Sequence, residues 1–422
     1  LYYSETLEVK AMPTIDAGDT AWMLVSTALV MLMTPGLAFF YGGMVRRKNT
    51  LSTIMMSFMT LGLIGVVWVI FGYSLAFGNG GGGFIGGFNY AFLNNVGQEP
   101  STIYATTVPH LAFSAYQMMF AIITVALITG AVVERIKFSS IGIFALIWFI
   151  VVYTPVAHWV WSADGWLYKM GALDFAGGTV VHITAGVSAF SLALVLGPRK
   201  DFQQGTPMAP ANVPFIVIGA SLLWFGWFGF NAGSALTSGG LASSAFMATN
   251  TAAASASLTW MFLSWFYHRP TLTGMATGAV AGLVAITPAA GFVSPIMGIP
   301  IGIGVSIICF YVMRLRGRSK TDDSLDVFAC HGMGGTWGAI ATGIFASSAV
   351  NSAGADGVIH GNWLLLGKQF LAVIVVWAFA FTLTWIIGKV IDKTMGLRVN
   401  PTEESLGLDI SQHGESAYGD EL

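Results

Sequence analysis

Residues 270–313 read PTLTGMATGAVAGLVAITPAAGFVSPIMGIPIGIGVSIICFYVM, without one Asp, Glu, Lys or Arg. A bilayer core is crossed by about 20 apolar helical residues, so this stretch holds two spans, and the equally uncharged residues 202–268 hold two more. The whole chain shares this character: of 422 residues 55% are hydrophobic and 9% charged, with a mean hydropathy of +0.72. A soluble domain carries about 25% charged residues, so the lipid bilayer is the implied solvent. Residues 141–152 and 371–387 are apolar on nearly every face. That pattern fits a lipid-embedded helix and excludes a barrel strand, which alternates apolar and polar side chains.

Turn signals and isolated charges divide the chain into eleven spans, starting near Thr20, Leu51, Ala105, Phe138, Phe175, Ala211, Phe246, Gly274, Pro295, Asp326 and Asn362. The fold class is an all-α membrane protein, and an odd number of spans puts the termini on opposite sides. Arg46, Arg47, Lys48, Arg135, Lys137, Arg199, Lys200, Arg269, Arg314, Arg316, Arg318, Lys320, Lys389, Lys393 and Arg398 share one side, leaving Lys10, Lys169 and Lys368 opposite. By the positive-inside rule the amino terminus is external and the carboxyl terminus cytoplasmic. The net charge of −2 carries no information about partners, and no nucleic acid is expected. The expected organisation is an external segment over 1–19, a membrane domain over 20–391 and a cytoplasmic tail over 392–422. No charged n-region with an apolar h-region precedes the first span, so any signal peptide is expected to be removed or never present.

The Gly-rich stretches 78–87 and 351–361 read as turns at the outer membrane face, since no strand precedes them as a phosphate loop requires. Cys309 and Cys330, the only cysteines, fall in or beside spans and read as packing residues. No carboxylate pair or activated nucleophile marks an enzyme, and no cofactor is implied.

Spans one to five and six to ten have opposite topology, as inverted repeats do, over about 20–197 and 211–347, with the last helix at 362–391 outside the pair. Span five reads DFAGGTVVHITAG from Asp174 and span ten DVFACHGMGG from Asp326; GLAFFYGG from Gly36 and GWFGFNAG from Gly226 occupy spans one and six. His110, His158, His268, His360 and His413 fall at span ends, loops or the tail, whereas His182 and His331 lie inside spans. The helical rise places these two about 12 Å and 7.5 Å beyond Asp174 and Asp326, and entry from opposite faces brings the imidazoles together near the midplane. Either His alone reads as a polar contact between helices. Two at related positions favour a shared pore, because an intramembrane ionisable residue is by default functional; two imidazoles fall short of the three or more ligands of a metal site. Neutral imidazoles suit a small molecule that both donates and accepts hydrogen bonds. Trp161, in the external loop after span four, and Tyr116, Phe120 and Phe230, in the outer parts of spans three and six, offer faces that attract cations, although interfacial aromatics also serve as membrane anchors.

Over residues 21–418 the chain resembles the Amt/Mep/Rh family of ammonium transporters, and closely its bacterial Amt branch. The stretches carrying the resemblance are PGLAFFYGG from Pro35, RRKN from Arg46, GYSLAFG from Gly72, GALDFAGGTVVH from Gly171, GWFGFNAGSA from Gly226, DVFACHG from Asp326, and GLRV, GLD and HGESAY in the tail. The resemblance implies eleven helices, inverted repeats and a homotrimer with one pore per subunit in the cell inner (plasma) membrane. It implies an outer ammonium site of Trp161, Tyr116 and Ser234, a gate of Phe120 and Phe230, and a pore pair of His182 and His331. Asp174 is implied as the carboxylate organising the outer site, with a helix cap as its alternative reading; Gln117, Trp227 and Thr287 match positions near the path. Tyr116 departs from the pattern, since many bacterial members carry Phe there. A trimeric PII-type nitrogen-regulatory protein is the implied partner at the tail and at residues 314–320.

Ammonium and potassium share charge and approximate size, so selectivity has to come from hydrogen bonding and acidity. A charge is penalised in a dry lumen; ammonium is therefore expected to shed its proton and cross as ammonia, with the proton relayed separately through the imidazoles. A sensor of ammonium built on the same fold is the competing reading.

Overall fold

Where water is absent, a backbone satisfies its polar groups only internally, and the long uncharged runs do so here as helices. The computed structural model describes residues 14–419. Among the described residues eight helices are long and apolar enough to cross a membrane: α1 (Ala17–Met44), α2 (Arg47–Phe77), α3 (His110–Thr129), α4 (Phe138–Met170), α5 (Gly178–Leu196), α6 (Val213–Ala235), α9 (Pro295–Arg316) and α11 (Trp363–Thr394). Between them stand α7 (Gly240–Tyr267), rich in Ala, Ser and Thr, the shorter α8 (Leu272–Ile286) and α10, residues 328–345. Pairs of helices approach closely where small residues permit it. α1 lies along α6, and a Cβ on Gly219 would strike the Phe40 backbone.

The connections sort into two groups by contact. At one end of the bundle Arg46 pairs with Glu134 and Asp201, Arg199 with Glu134 and Asp322, and Lys137 Nζ donates to the Met395 carbonyl. The α1–α2, α3–α4, α5–α6 and α9–α10 connections and the tail therefore meet there. At the other end Asp16 N–H donates to Thr107, Ser238 to Asp19, Phe175 to Pro288 and Ser347 to Phe292. The basic residues of these connections thus lie at one end of the bundle, and Arg314, 4.2 Å above the Tyr267 ring, ties the end of α7 to α9.

The tail is part of this end rather than a loose extension. Leu397 and Val399 exchange backbone hydrogen bonds with Lys137 and Arg135, Glu404 accepts from Lys200 N and Arg398, and Asp409 accepts from Leu51 N and Ser52 N at the start of α2. Leu408 is wholly buried.

Glu134 is the centre of the ionic cluster, with Arg199 Nη1 at 2.6 Å and Arg46 Nη2 at 2.9 Å. Burial alone would raise its carboxyl, but the two guanidiniums win and hold it down at about 2. A depressed carboxylate contributes stability above its usual titration range and loses it as pH falls through the folded value. The protein in detergent is therefore expected to lose thermal stability as pH falls from about 4.5 towards 2. Glu134→Gln should remove about 3 kcal/mol, the lower range for stripping one partner from a buried pair, because each arginine keeps a second carboxylate. A variant melting like the parent at neutral pH would refute the assignment.

Several starts differ from the sequence expectation. α3 begins at His110 rather than near Ala105, because β1 (Pro100–Ser101) and β2 (Ala105–Pro109) pair antiparallel there. The β-branched residues of ATTV favour a strand and Pro109 keeps its predecessor out of the helical region; this ribbon also qualifies the all-α class. α7 starts at Gly240, six residues before Phe246, since its first turns are built from small residues. Trp161 closes a helical stretch inside α4 instead of standing in a loop. Cys309 and Cys330 are buried free thiols. In the 78–87 stretch Gly80, Gly81, Gly82 and Gly83 all take positive φ, which side chains resist. Residues 1–13 and 420–422, with Lys10, Asp420 and Glu421, lie outside the described residues.

Candidate functional site

The first turn of a helix leaves four N–H groups without partners, and Asp174 supplies all of them for α5. Its Oδ1 accepts from Gly177 N and Gly178 N and its Oδ2 from Thr179 N and Val180 N, at 2.6–3.0 Å. The helix then opens as a π segment, Gly178–Ile183, and His182 sits in it. α10 opens in the same way with the π segment Phe328–Met333, which carries His331. Its capping carboxylate is Asp323, whose Oδ2 accepts from Phe328 N at 2.8 Å. Asp323 precedes His331 by eight residues, as Asp174 precedes His182. The sequence pairing of Asp174 with Asp326 therefore needs correction: Asp326, at φ 55°, pairs with Arg316 at 2.6 Å instead. Equal spacing to the two histidines was the available signal for Asp323.

α5 and α10 cross where both have glycine. A Cβ on Gly186 would collide with the backbone of Gly332, so only hydrogen permits the approach that brings the imidazoles together. His331 Nδ1 stands 3.2 Å from His182 Nδ1, with ring centroids 5.2 Å apart and planes inclined by 29°. An Nδ1 pair shares one proton, so one ring donates there and the other accepts. The remaining Nε2 atoms are then of opposite kinds, one acceptor and one donor. His182 Nε2 is buried with no partner.

Around the pair lies a passage with about 10 Å³ of free space, walled by Met33, Leu37, Ile123, Leu127, Leu223 and Val280 together with Trp227 and Phe230. His182 stacks on Trp227 at 5.3 Å, and Trp227 Nε1 donates to Thr287 Oγ1 at 2.9 Å, which keeps the indole N–H out of the apolar wall. On the far side His331 also lines a cavity of about 230 Å³ with Tyr41, Thr277, Ser324 and Asp326, at the end of the bundle where the basic loops meet.

Towards the opposite end Phe230 stacks on Phe120 with centroids 4.1 Å apart and planes at 25°. Beyond this lid a cavity of about 190 Å³ is lined by Phe120, Trp161, Gln117, Ser234, Phe175 and Tyr104, among others. Trp161 meets Phe120 edge-on at 5.7 Å and its Nε1 donates to the Asp174 carbonyl at 3.0 Å. Gln117 Oε1 is a buried acceptor with no partner. Ser234 Oγ donates to the Phe230 carbonyl at 2.8 Å. Tyr116 is wholly buried, and its hydroxyl lies 2.8 Å from the carbonyls of Gly229 and Phe230 and 3.2 Å from Ser234 Oγ. That hydroxyl holds the carbonyls of the π segment Phe228–Ala232, whose helical partners are displaced. The structure thus brings Trp161, Ser234, Gln117, Phe120, Phe230, His182 and His331 to one axis. It puts Tyr116, Asp174, Trp227 and Thr287 in supporting contact with them.

His158 lies in the last turn of the helical stretch that Trp161 closes, as expected of a span end, yet it is fully buried, with Nδ1 3.0 Å from the Ala76 carbonyl. Gln369 escaped sequence reasoning altogether, because a single uncharged amide in the apolar α11 carries no periodic or charge signal.

Comparison with known proteins places these features in context. Residues 21–418 match the family model described as Ammonium Transporter Family. An ammonium transporter of Bacillus subtilis (strain 168) is 51% identical over 96% of this chain and 99% of its own length. Among solved structures, Mep2 of Candida albicans superposes with a TM-score of 0.88 at 38% identity, covering 97% of this chain and 92% of that one. A structure titled Sensor Amt Protein superposes with a TM-score of 0.85 at 30% identity, covering 94% and 98%.

Proposed function

The chain belongs to the ammonium transporter family and is a multi-pass membrane protein, and from that premise we propose that it conducts ammonium as a proton plus ammonia through the twin-histidine passage. The observation that carries the reading is the His182–His331 contact inside an otherwise apolar lumen, bounded by an aromatic lid on one side and opening to a wider cavity on the other.

Ammonium enters the outer cavity, where the faces of Trp161 and Phe120 favour a cation and Ser234 and Gln117 offer acceptors. Below the lid nothing replaces its hydration: the lumen presents aliphatic walls, two imidazoles and no cage of carbonyl oxygens. Carrying a full charge into that region costs several kcal/mol even after relaxation, so ammonium gives up a proton and ammonia goes on. Ammonia donates to the acceptor Nε2 and accepts from the donor Nε2, matching the opposite tautomers. Potassium has no proton to lose and no hydrogen bond to give. The released proton follows through the shared Nδ1 contact, which makes net transport electrogenic.

Eleven spans with the amino terminus external, two inverted repeats, a homotrimer in the plasma membrane and a PII-type regulator at the tail complete the proposal. Support for the topology comes from the two groups of mutually contacting connections, and support for the repeats from the matching Asp-to-His spacing and paired π segments.

Purified protein in liposomes on a solid-supported membrane should give current on an ammonium jump and none on an equal potassium jump. Ammonia flux without charge movement would reject the proton arm. Saturable ammonium binding with neither flux nor current would favour the sensor reading, which the likeness to the sensor structure keeps in play.

A further inference from the structure

A peptide group that water cannot reach must find both of its partners in the protein. Leu173, directly before Asp174, finds them in one side chain from another helix. Gln369 Oε1 accepts from Leu173 N and Gln369 Nε2 donates to the Leu173 carbonyl, each at 2.8 Å. The second hydrogen on Nε2 reaches the Ala339 carbonyl of α10 at 3.1 Å. Gln369 is 1% exposed. A primary amide is the neutral side chain that offers a donor and an acceptor side by side, so it pairs with a peptide as a neighbouring strand would. The opposite amide orientation would set oxygen against the Leu173 and Ala339 carbonyls and nitrogen against an N–H.

We propose that Gln369 is a positioning residue of the outer site: by gripping the Leu173 peptide and the Ala339 carbonyl together it fixes Asp174, and through it Trp161, against α10. The inference rests on the transport reading and deepens it. Trp161 Nε1 is bonded to the very next carbonyl, that of Asp174, and Phe175 lines the outer cavity with its N–H on Pro288. Release of Leu173 therefore shifts an aromatic wall and the α5 cap at once. The histidine contact lies deeper and is held independently by the Gly186–Gly332 crossing. The effect should then fall on recruitment of ammonium and spare passage through the lumen. α11, which stands outside the repeats, thus reaches the outer site through the Gln369 amide.

The test is ammonium-evoked current as a function of concentration for the parent, Gln369→Met and Gln369→Glu, with protein amount and monodispersity matched. Gln369→Met keeps length and loses all three hydrogen bonds; its half-saturating ammonium concentration should rise about tenfold while maximal current stays within about twofold. A neutral carboxylic acid reproduces both bonds to Leu173, so Gln369→Glu should approach the parent at acidic pH and diverge from it as the carboxyl ionises, each value taken relative to the parent at that pH. If Gln369→Met does not fold, this pH-dependent rescue carries the test. Parent-like half-saturation in Gln369→Met, a fall in maximal current alone, or no pH dependence in Gln369→Glu relative to the parent would overturn the proposal. A parent with no ammonium response would instead sink the transport reading itself.

Discussion

Replacing both imidazoles of the proposed pore with leucine, His182→Leu and His331→Leu together, is expected to cut ammonium-evoked current at least about 100-fold in protein that still purifies as a folded species. The two rings are the hydrogen-bonding groups facing the narrow passage whose other walls are aliphatic or aromatic. Without them ammonia crosses that stretch bare, and stranding a polar molecule in an apolar medium costs about 2–7 kcal/mol. The proton loses its shared Nδ1 contact as well, so charge movement should fall further than uncharged ammonia flux. Folding is a lesser concern, because leucine fills nearly the volume of imidazole and the Gly186–Gly332 approach that seats the two helices is untouched. Single replacements are informative in a different way. Leucine at either site leaves the other Nδ1 unpartnered and the chain of donors and acceptors broken, so either single variant should lose proton movement to nearly the same degree as the double. Full ammonium current in the double variant, with potassium still excluded, would end the twin-histidine account.

What the sequence makes legible here follows the physics of each level. Membrane class and approximate span positions come from the absence of charge over long runs, a signal averaged over tens of residues that one local exception does not erase. The histidine pair was legible because ionisable residues inside apolar runs are scarce, so two of them stand out. Boundaries were less legible where side-chain bulk misled: α7 begins in Gly, Ala and Ser, which look like a loop in water but form helices where the backbone has no solvent partner. The counterpart of Asp174 was placed at Asp326 because Asp323 and Asp326 both lie near the start of α10; the spacing of eight residues to each histidine favours Asp323, and the contact of Asp326 with Arg316 separates the ion-pair carboxylate from the capping one. The charge of 392–422 marks it as a cytoplasmic tail but not where it docks: Arg398 donates to the Leu196 carbonyl, Glu404 accepts from Lys200 N, and Asp409 accepts from Leu51 N. Charge near a membrane surface says which side a residue is on, and contact alone says whether it is free.

The π segments explain how a regular helix pair comes to hold two rings face to face. An α-helix places its side chains at fixed angles; the wider turns at Gly178–Ile183 and Phe328–Met333 change that angle just where the histidines lie. Phe228–Ala232 does the same for Phe230, which closes the lid. The helix starts leave N–H groups, and the third π segment leaves carbonyls, without their usual partners, and side chains supply them: Asp174 and Asp323 at the starts, Tyr116 at the third. The residues that support the proposed passage are thus the same ones that satisfy its irregular backbone.

Asp174 should therefore show the second large effect, and its two substitutions should differ. Asp174→Ala strips four N–H groups of their acceptor; with about 1–3 kcal/mol for each one water cannot replace, and loss of a negative charge at a helix amino terminus adding about 0.3–1 kcal/mol, destabilisation of several kcal/mol is expected. Asp174→Asn keeps one oxygen for two of the donors but turns an amide nitrogen towards the other two, so two hydrogen donors face two more. It is expected to be no better than alanine, although it is nearly isosteric and far closer in polarity. Transport should fall with stability, because the Asp174 carbonyl holds Trp161. A pure cap and an organiser of recruitment separate in the folded fraction. If Asp174 only caps the helix, surviving protein should bind and pass ammonium at the parent's half-saturating concentration; if it also sets the outer site, that concentration rises by about tenfold or more in the same molecules. Concentration-dependent current on Asp174→Asn rescued by low temperature makes the distinction, and a curve superimposable on the parent's would reduce Asp174 to its structural role. The expected outcome is the shifted curve, since the carboxylate that fixes α5 and the carbonyl that fixes Trp161 belong to one residue and cannot move apart.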